Sequence, residues 1–220
     1  MVKFFGNPKN VFWEALLITI VVFVFGVFLG YALENSRIDK INEYYVNSEI
    51  SLIDALALNN VIALGNSSCS ELVIANLNFA DRIYEESKVL NNYDEANKLS
   101  DNIKLVHKRY DLLRTLLWAS ALETQRQCKG DFSIVVYLYQ RETEDLAQKA
   151  TQNVWSKILS DLKENRGAEI VLIPISVDKE LSSLQNMIAK YRVKTFPVVI
   201  INDNVINELK SEQELEQYLK

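Results

Sequence analysis

A single histidine, His107, stands in 220 residues. That scarcity argues against a histidine-based metal site or a Ser-His triad, since both need partnered groups. On a helix of mixed polarity, His107 is expected at the surface or partly packed. The chain holds only six glycines, and no glycine-rich loop adjoins a strand, so no phosphate cradle is expected. Prolines number three, and none falls between Ser36 and Gln127, which leaves that stretch free to form long helices. The two cysteines, Cys69 and Cys128, are too far apart in sequence for a local Cys-x-x-Cys redox motif. Excess positive charge is also missing: 24 Lys and Arg face 29 Asp and Glu, a net charge of -5 with no basic run, so nucleic acid is not expected as a partner. Neither a metal nor a cofactor is expected.

What the chain has instead is apolar bulk. Hydrophobic residues make up 49% of it, enough for a packed core. Residues Ala15 to Leu33 carry no charge, and at ~1.5 Å per residue they span about 28 Å, close to the hydrocarbon core of a bilayer. Trp13 and Tyr31 stand near the two ends, as in an aromatic belt. A cleaved signal peptide would have a shorter apolar core followed by a small-x-small site, and Gly30-Tyr31-Ala32 matches that poorly. The pattern predicts an uncleaved signal-anchor at 15–33. Lys3, Lys9 and the amino terminus precede it, while Arg37 and Lys40 follow among acidic residues. This small bias predicts a single-pass protein of the cell membrane, with residues 1–14 cytoplasmic and the bulk of the chain outside. Asn66-Ser67-Ser68 is a formal glycosylation sequon and a weak signal for that side.

From 34 to 128 the apolar spacing is helical, with Leu52 and Leu56, and later Leu105, Leu112 and Leu116, marking the stripes. Three helices are predicted, at 36–64, 69–91 and 94–127, with turns at Gly65-Asn66-Ser67-Ser68 and Asn91-Asn92. Tyr110, Leu113, Leu117 and Trp118 make the third helix the most buried. A first helix continuing out of the membrane segment would lift the following domain from the bilayer. Its face Ile38, Ile41, Tyr45, Ile50 and Ile53 would pack on the hairpin or pair with a second copy, and the sequence does not choose. Cys69 opens the second helix and Cys128 closes the third, so an antiparallel hairpin brings them to one end; a disulfide then requires Cα atoms within ~7 Å. With the turn at Asn91-Asn92 the arms differ by roughly 18 Å. A turn nearer Leu99-Ser100-Asp101 levels them, Ser100 being a good cap. Two buried thiols are the alternative.

Residues 129–220 alternate strands and helices. Phe132–Tyr139 is a continuous apolar run, as in a strand covered on both faces. A helix over 142–165 follows, with Leu146, Val154, Ile158 and Leu162 inward and Gly167 as its stop. A strand covers 169–177, where Pro174 implies a bulge or an exposed edge. Asp178 begins the next helix, and a strand over 197–202 opens at Pro197. Asn204–Asn207 is its hairpin partner, turning at Asp203-Asn204. Ser211 and Glu214 form a capping box for the last helix.

This β-α-β-α-β-β-α order, Asp178 after the second strand, and the block Val193-Lys194-Thr195-Phe196-Pro197-Val198-Val199-Ile200 resemble the thioredoxin-like superfamily. The resemblance covers residues 131–220. It implies an α/β thioredoxin-like domain behind a transmembrane helix and a helical hairpin, with a cis-proline at Pro197 facing the redox site. That family carries Cys-x-x-Cys at the head of its first long helix. Here the place reads Gln140-Arg141-Glu142-Thr143-Glu144-Asp145-Leu146, without cysteine. Thiol exchange needs a sulfur there, and Thr143 alone would need a base, so no catalytic residue is expected. In family members the cis-proline and the residue before it bind extended peptide. By that resemblance Phe196 and Pro197, flanked by Tyr139 and Arg141, would form a peptide groove. The expectation is a non-catalytic binding or scaffolding subunit of a membrane complex. The alternative is a component of a thiol-disulfide system acting through Cys69 and Cys128 or through a partner's cysteines.

Overall fold

The computed structural model describes residues 8–63, 69–96, 101–128 and 132–220. By its contacts the chain forms two compact units, Met1–Tyr45 and Val46–Lys220. Helix α1 runs Pro8–Ala63. Within the first unit its stretch Phe12–Leu33 is 22 residues long, apolar enough to cross a membrane, and fully exposed. Of the candidate pairing face on α1, Ile50 and Ile53 are exposed.

In the second unit, α2 (Cys69–Ala96) and α3 (Asp101–Cys128) are each 28 residues long. The turn expected at Asn91-Asn92 is therefore corrected: α2 continues through both asparagines, and the equal arms match the alternative break before Asp101. Asparagine is only a mild helix breaker, costing about 0.7 kcal/mol or less, so two of them do not end a helix. The expected glycosylation position Asn66 and the cap Ser100 lie outside the described residues. At the hairpin's open end Cys69 and Cys128 form a disulfide, Cα to Cα 5.4 Å. About two turns in from that end, the fully buried Asn76 joins the two helices: its Nδ2 donates to Thr124 Oγ1 at 3.0 Å and to Leu72 O, while Ser120 Oγ donates to its Oδ1 at 2.8 Å. A buried polar group is stable only with its partners in place. Asn76→Leu is expected to lower stability by about 1–3 kcal/mol by removing the bonds that the Ser120 and Thr124 hydroxyls make to the buried amide. Urea midpoints of the variant and of the triple Asn76→Leu/Ser120→Ala/Thr124→Val check this, the triple recovering much of the loss.

The sheet contains β1 (Ser133–Tyr139), β2 (Ile170–Ser176), β3 (Val198–Ile201) and β4 (Asn204–Ile206), in the order β2-β1-β3-β4. β1 and β2 are parallel, β3 is antiparallel to β1, and β4 is antiparallel to β3. Pro174 sits opposite Tyr137 in the outermost strand, and the pairing passes through it without a bulge; a proline costs least at an edge. Helix α2 lies beside that edge strand and ties it to α4 (Leu146–Arg166) through Asp81 on Lys163 at 2.7 Å and Tyr84 on Ser160. An edge covered in this way is closed to strand pairing.

Strand side chains alternate between faces. Val135, Tyr137 and Tyr139 turn toward α4 and toward α6 (Glu212–Glu216), meeting Trp155, Leu159, Leu162 and Leu215. Ile134, Val136 and Leu138 are fully buried on the other face, which α3 covers with Tyr110, Leu113, Leu117 and Trp118, all buried as expected. By contrast Leu105 and Leu112 are exposed. The inward face of α4 is also corrected. Leu146 and Val154 are exposed, and Gln152, Trp155, Leu159 and Leu162 are the buried stripe. Both stripes have helical spacing, and the indole of Trp155, the largest apolar side chain on the helix, decides between them. Gly167 caps α4 at φ 53, a left-handed conformation that favours glycine.

Helix α5 is shorter than expected, Ser182–Lys190, and Asp178 does not open it. Its carboxylate serves the β1–α4 loop instead. Tyr191 at the end of α5 stacks on Trp118 at 5.3 Å between ring centres. The β3–β4 turn falls at Asn202-Asp203, one residue earlier than expected, because Asn202 takes the left-handed backbone (φ 55) that asparagine tolerates. Its side chain repays the position with bonds to Ile134 N, Gln125 and Tyr218 O, joining β1, α3 and the C-terminus. The expected capping box of Ser211 and Glu214 is formed.

Candidate functional site

The carboxyl ends of β1 and β2 and the start of β3 meet at one end of the sheet, where the β1–α4 loop crosses. Asp145 caps α4 there, accepting from the amides of Ala147 and Gln148. A carboxylate suits a helix N-terminus, whose amides are unpaired and whose dipole is positive. Three glutamines fill the space beneath. Gln152 is buried and brackets the backbone of Gln140, accepting from its N–H at 2.8 Å and donating to its carbonyl at 2.9 Å. Gln148 donates to Gln140 Oε1 at 2.6 Å and to the carbonyl of Phe196 at 3.0 Å, and accepts from Thr143 Oγ1. The hydroxyl of Thr143 is thus a donor in an amide network rather than a nucleophile beside a base.

The four residues expected around a peptide groove divide into two pairs. Tyr139 and Arg141 meet directly, Arg141 Nη2 donating to the phenol at 3.1 Å. Phe196 and Pro197 are joined by a cis peptide bond, and Gln148 and Gln140 link this pair to the loop. Pro197 is half-buried at the mouth of β3.

Behind the loop lies a charged cluster that sequence reasoning missed. Asp111 on α3 is 1% exposed, accepts the backbone N–H of Ser176 at the end of β2 at 3.1 Å, and pairs with Arg114 at 3.3 Å. Burial raises its carboxyl above the ordinary range, against the opposing pull of Arg114, the Ser176 amide and Arg141. The expectation that His107 lies at the surface or partly packed is corrected to full burial: it is 6% exposed, one turn from Asp111, with Nε2 2.8 Å from Arg141 Nη1. It is buried because α3 lies over the sheet and carries this position to the loop. Asp178 accepts the backbone N–H groups of Arg141 and Glu142 and the hydroxyl of Ser176. For the residues of α3 the sequence trace is spacing: His107, Asp111 and Arg114 fall at i, i+4 and i+7 on one helical face.

Chemically, this end of the sheet offers hydrogen bonds and buried charge but no sulfur. The disulfide is elsewhere. Cys128 lies 17 residues along α3 from Asp111, about 26 Å at helical rise. Among the described residues no group of three or more His, Cys, Asp or Glu is placed to hold a metal. Among the described residues, a groove of about 340 Å³ lined by Asp54, Glu71 and Phe79 and another of about 490 Å³ between Tyr84 and Lys163 open on α2. Neither includes the residues of this site. No protein-family model matches the chain, and no curated protein matches it.

Proposed function

We propose that the protein is a membrane-anchored, extracytoplasmic, thioredoxin-like protein without a redox Cys-x-x-Cys, acting as a non-catalytic binding or scaffolding subunit. The observation that carries this reading is the head of α4. Where the thioredoxin-like resemblance puts a reactive cysteine pair, Asp145 caps the helix and Thr143, Gln148, Gln140 and Gln152 satisfy one another. The strand order β2-β1-β3-β4 with β3 reversed supports the fold assignment. An anchor at 15–33 is supported by the length and exposure of Phe12–Leu33. The joined sulfurs of Cys69 and Cys128 support an oxidising compartment outside the membrane.

A partner's extended segment would meet Phe196 and Pro197, with Tyr139 and Arg141 beside them. Because the Phe196 carbonyl already accepts from Gln148, such a segment would displace that amide to use it. Two measurements test the reading. Full-length protein in nanodiscs is expected to leave the reduction of insulin by dithiothreitol at its uncatalysed rate. A photo-crosslinking residue replacing Phe196, in native membranes, is expected to give a discrete protein adduct that the same residue at the exposed Gln213 does not. Catalysed exchange that vanishes in Cys69→Ser would establish the thiol-disulfide alternative in its place.

A further inference from the structure

We infer that the β1–α4 loop is held shut by a proton-sensitive latch, in which the neutral imidazole of His107 captures the side chain of Arg141. The two groups are 2.8 Å apart, Nε2 to Nη1. A guanidinium can only donate, so Nε2 accepts and the ring is neutral with its proton on Nδ1. A second proton would remove that acceptor and set an imidazolium against a guanidinium. Through Arg141 the bond reaches the whole loop, since the same residue donates to the Tyr139 phenol and its backbone N–H is held by Asp178. Gln140, next in the chain, carries the tie on to Gln148 and Phe196.

The neighbouring charges divide. Lys104 and Lys108 on α3, and Arg141 itself, oppose a charged imidazole. Asp111 one turn along α3 favours it, as does Asp178 beyond β2, whose carboxylate holds the Arg141 amide. Asp178 is engaged by two backbone amides, and Glu142 is paired with Lys179 at 2.6 Å. Direct loss of the Arg141 bond therefore dominates. The closed loop holds no proton at Nε2, whereas the open loop leaves the imidazole free to take one. Opening takes up a proton, and the open-to-closed ratio rises by up to about tenfold per pH unit as pH falls through the range where imidazole charges. The inference stands whatever the domain binds.

The test uses full-length protein in nanodiscs. Hydrogen exchange of the segment 139–145, corrected for intrinsic rates, is followed from pH 7.5 to 5. His107 is the sole histidine, so its Cε1 proton resonance reports its charge without ambiguity. The expected result is a loss of loop protection of about tenfold per unit that begins at higher pH than the titration of that resonance, since the ring charges only in the open form and its signal moves only where that form becomes the majority. His107→Gln keeps an acceptor that does not charge and is expected to be flat with pH, while Asp178→Asn retains the step. The inference is overturned if His107→Gln shows the wild-type step, if Asp178→Asn abolishes it, or if the imidazole titrates with no change in loop protection. Should His107→Gln fail to fold, the wild-type comparison of resonance and protection decides alone.

Discussion

Reducing the Cys69–Cys128 bridge is expected to lower the stability of the second unit by about 4 kcal/mol, the largest effect of a single bond in this molecule. The two cysteines are 59 residues apart in sequence, and cross-linking so long a loop removes a large share of the unfolded chain's freedom. The bridge stands at the open end of the α2–α3 hairpin, next to the junctions where the chain enters α2 and leaves α3 for β1. Without it, α2 is held by its buried stripe Leu72, Phe79 and Ile83, by the Asn76 network, and by Asp81 on Lys163 and Tyr84 on Ser160. Urea unfolding of full-length protein in detergent, oxidised against reduced, gives the loss directly. Cys69→Ser/Cys128→Ser should match the reduced protein. A midpoint unchanged by reduction would mean that the packing of α2 alone supplies the hairpin's stability.

Asp111→Ala is expected to cost about 3–5 kcal/mol, because it leaves the Arg114 guanidinium buried without its carboxylate and strands the Ser176 amide. Arg114 is 3% exposed and stacks over Tyr110 at 5.9 Å, so it cannot turn to water cheaply. Replacing the pair together, Asp111→Leu/Arg114→Met, should recover most of that loss, since two buried charges are exchanged for apolar bulk. If the double variant is as unstable as the single one, the Ser176 bond rather than the ion pair is what Asp111 supplies. The pH dependence separates the contributions further. The folded carboxyl is raised above 3.8 by burial, so between that value and the folded one the native state binds more protons than the unfolded chain. The contribution of Asp111 is fully present below 3.8 and is lost as pH rises through the folded value. Asp111→Asn should remove that decline, seen as a flatter stability profile over the acidic range.

Much of the fold was legible along the chain. The apolar segment at 15–33, the strands at 132–139 and 197–202, the glycine stop at 167 and the Ser211 capping box follow from local patterns, and local patterns depend on neighbours a few residues away. The faces of the amphipathic helices were less legible. On α4, Leu146 and Val154 fit an inward stripe by spacing as well as Trp155 and Leu159 do, and the choice falls to the bulk of Trp155 once the sheet covers one side. The start of α5 was misplaced for a similar reason. Asp178 reads as a helix cap, yet its carboxylate is taken by amides 36 and 37 residues earlier in the chain.

The sequence by itself determined which side chains this protein has to work with: two cysteines far apart in the chain, a single histidine, and neither residue type between Gln140 and Leu146. It also determined an apolar helix long enough to cross a bilayer. Tertiary structure decided where the charges went. Nothing local requires His107 or Asp111 to be buried, and each stands among lysines and arginines that usually face water. Both are buried because α3 must cover the apolar face of Ile134, Val136 and Leu138, and the length of that helix carries its polar first turns past the end of the sheet, onto the loop that Arg141 and Asp178 hold.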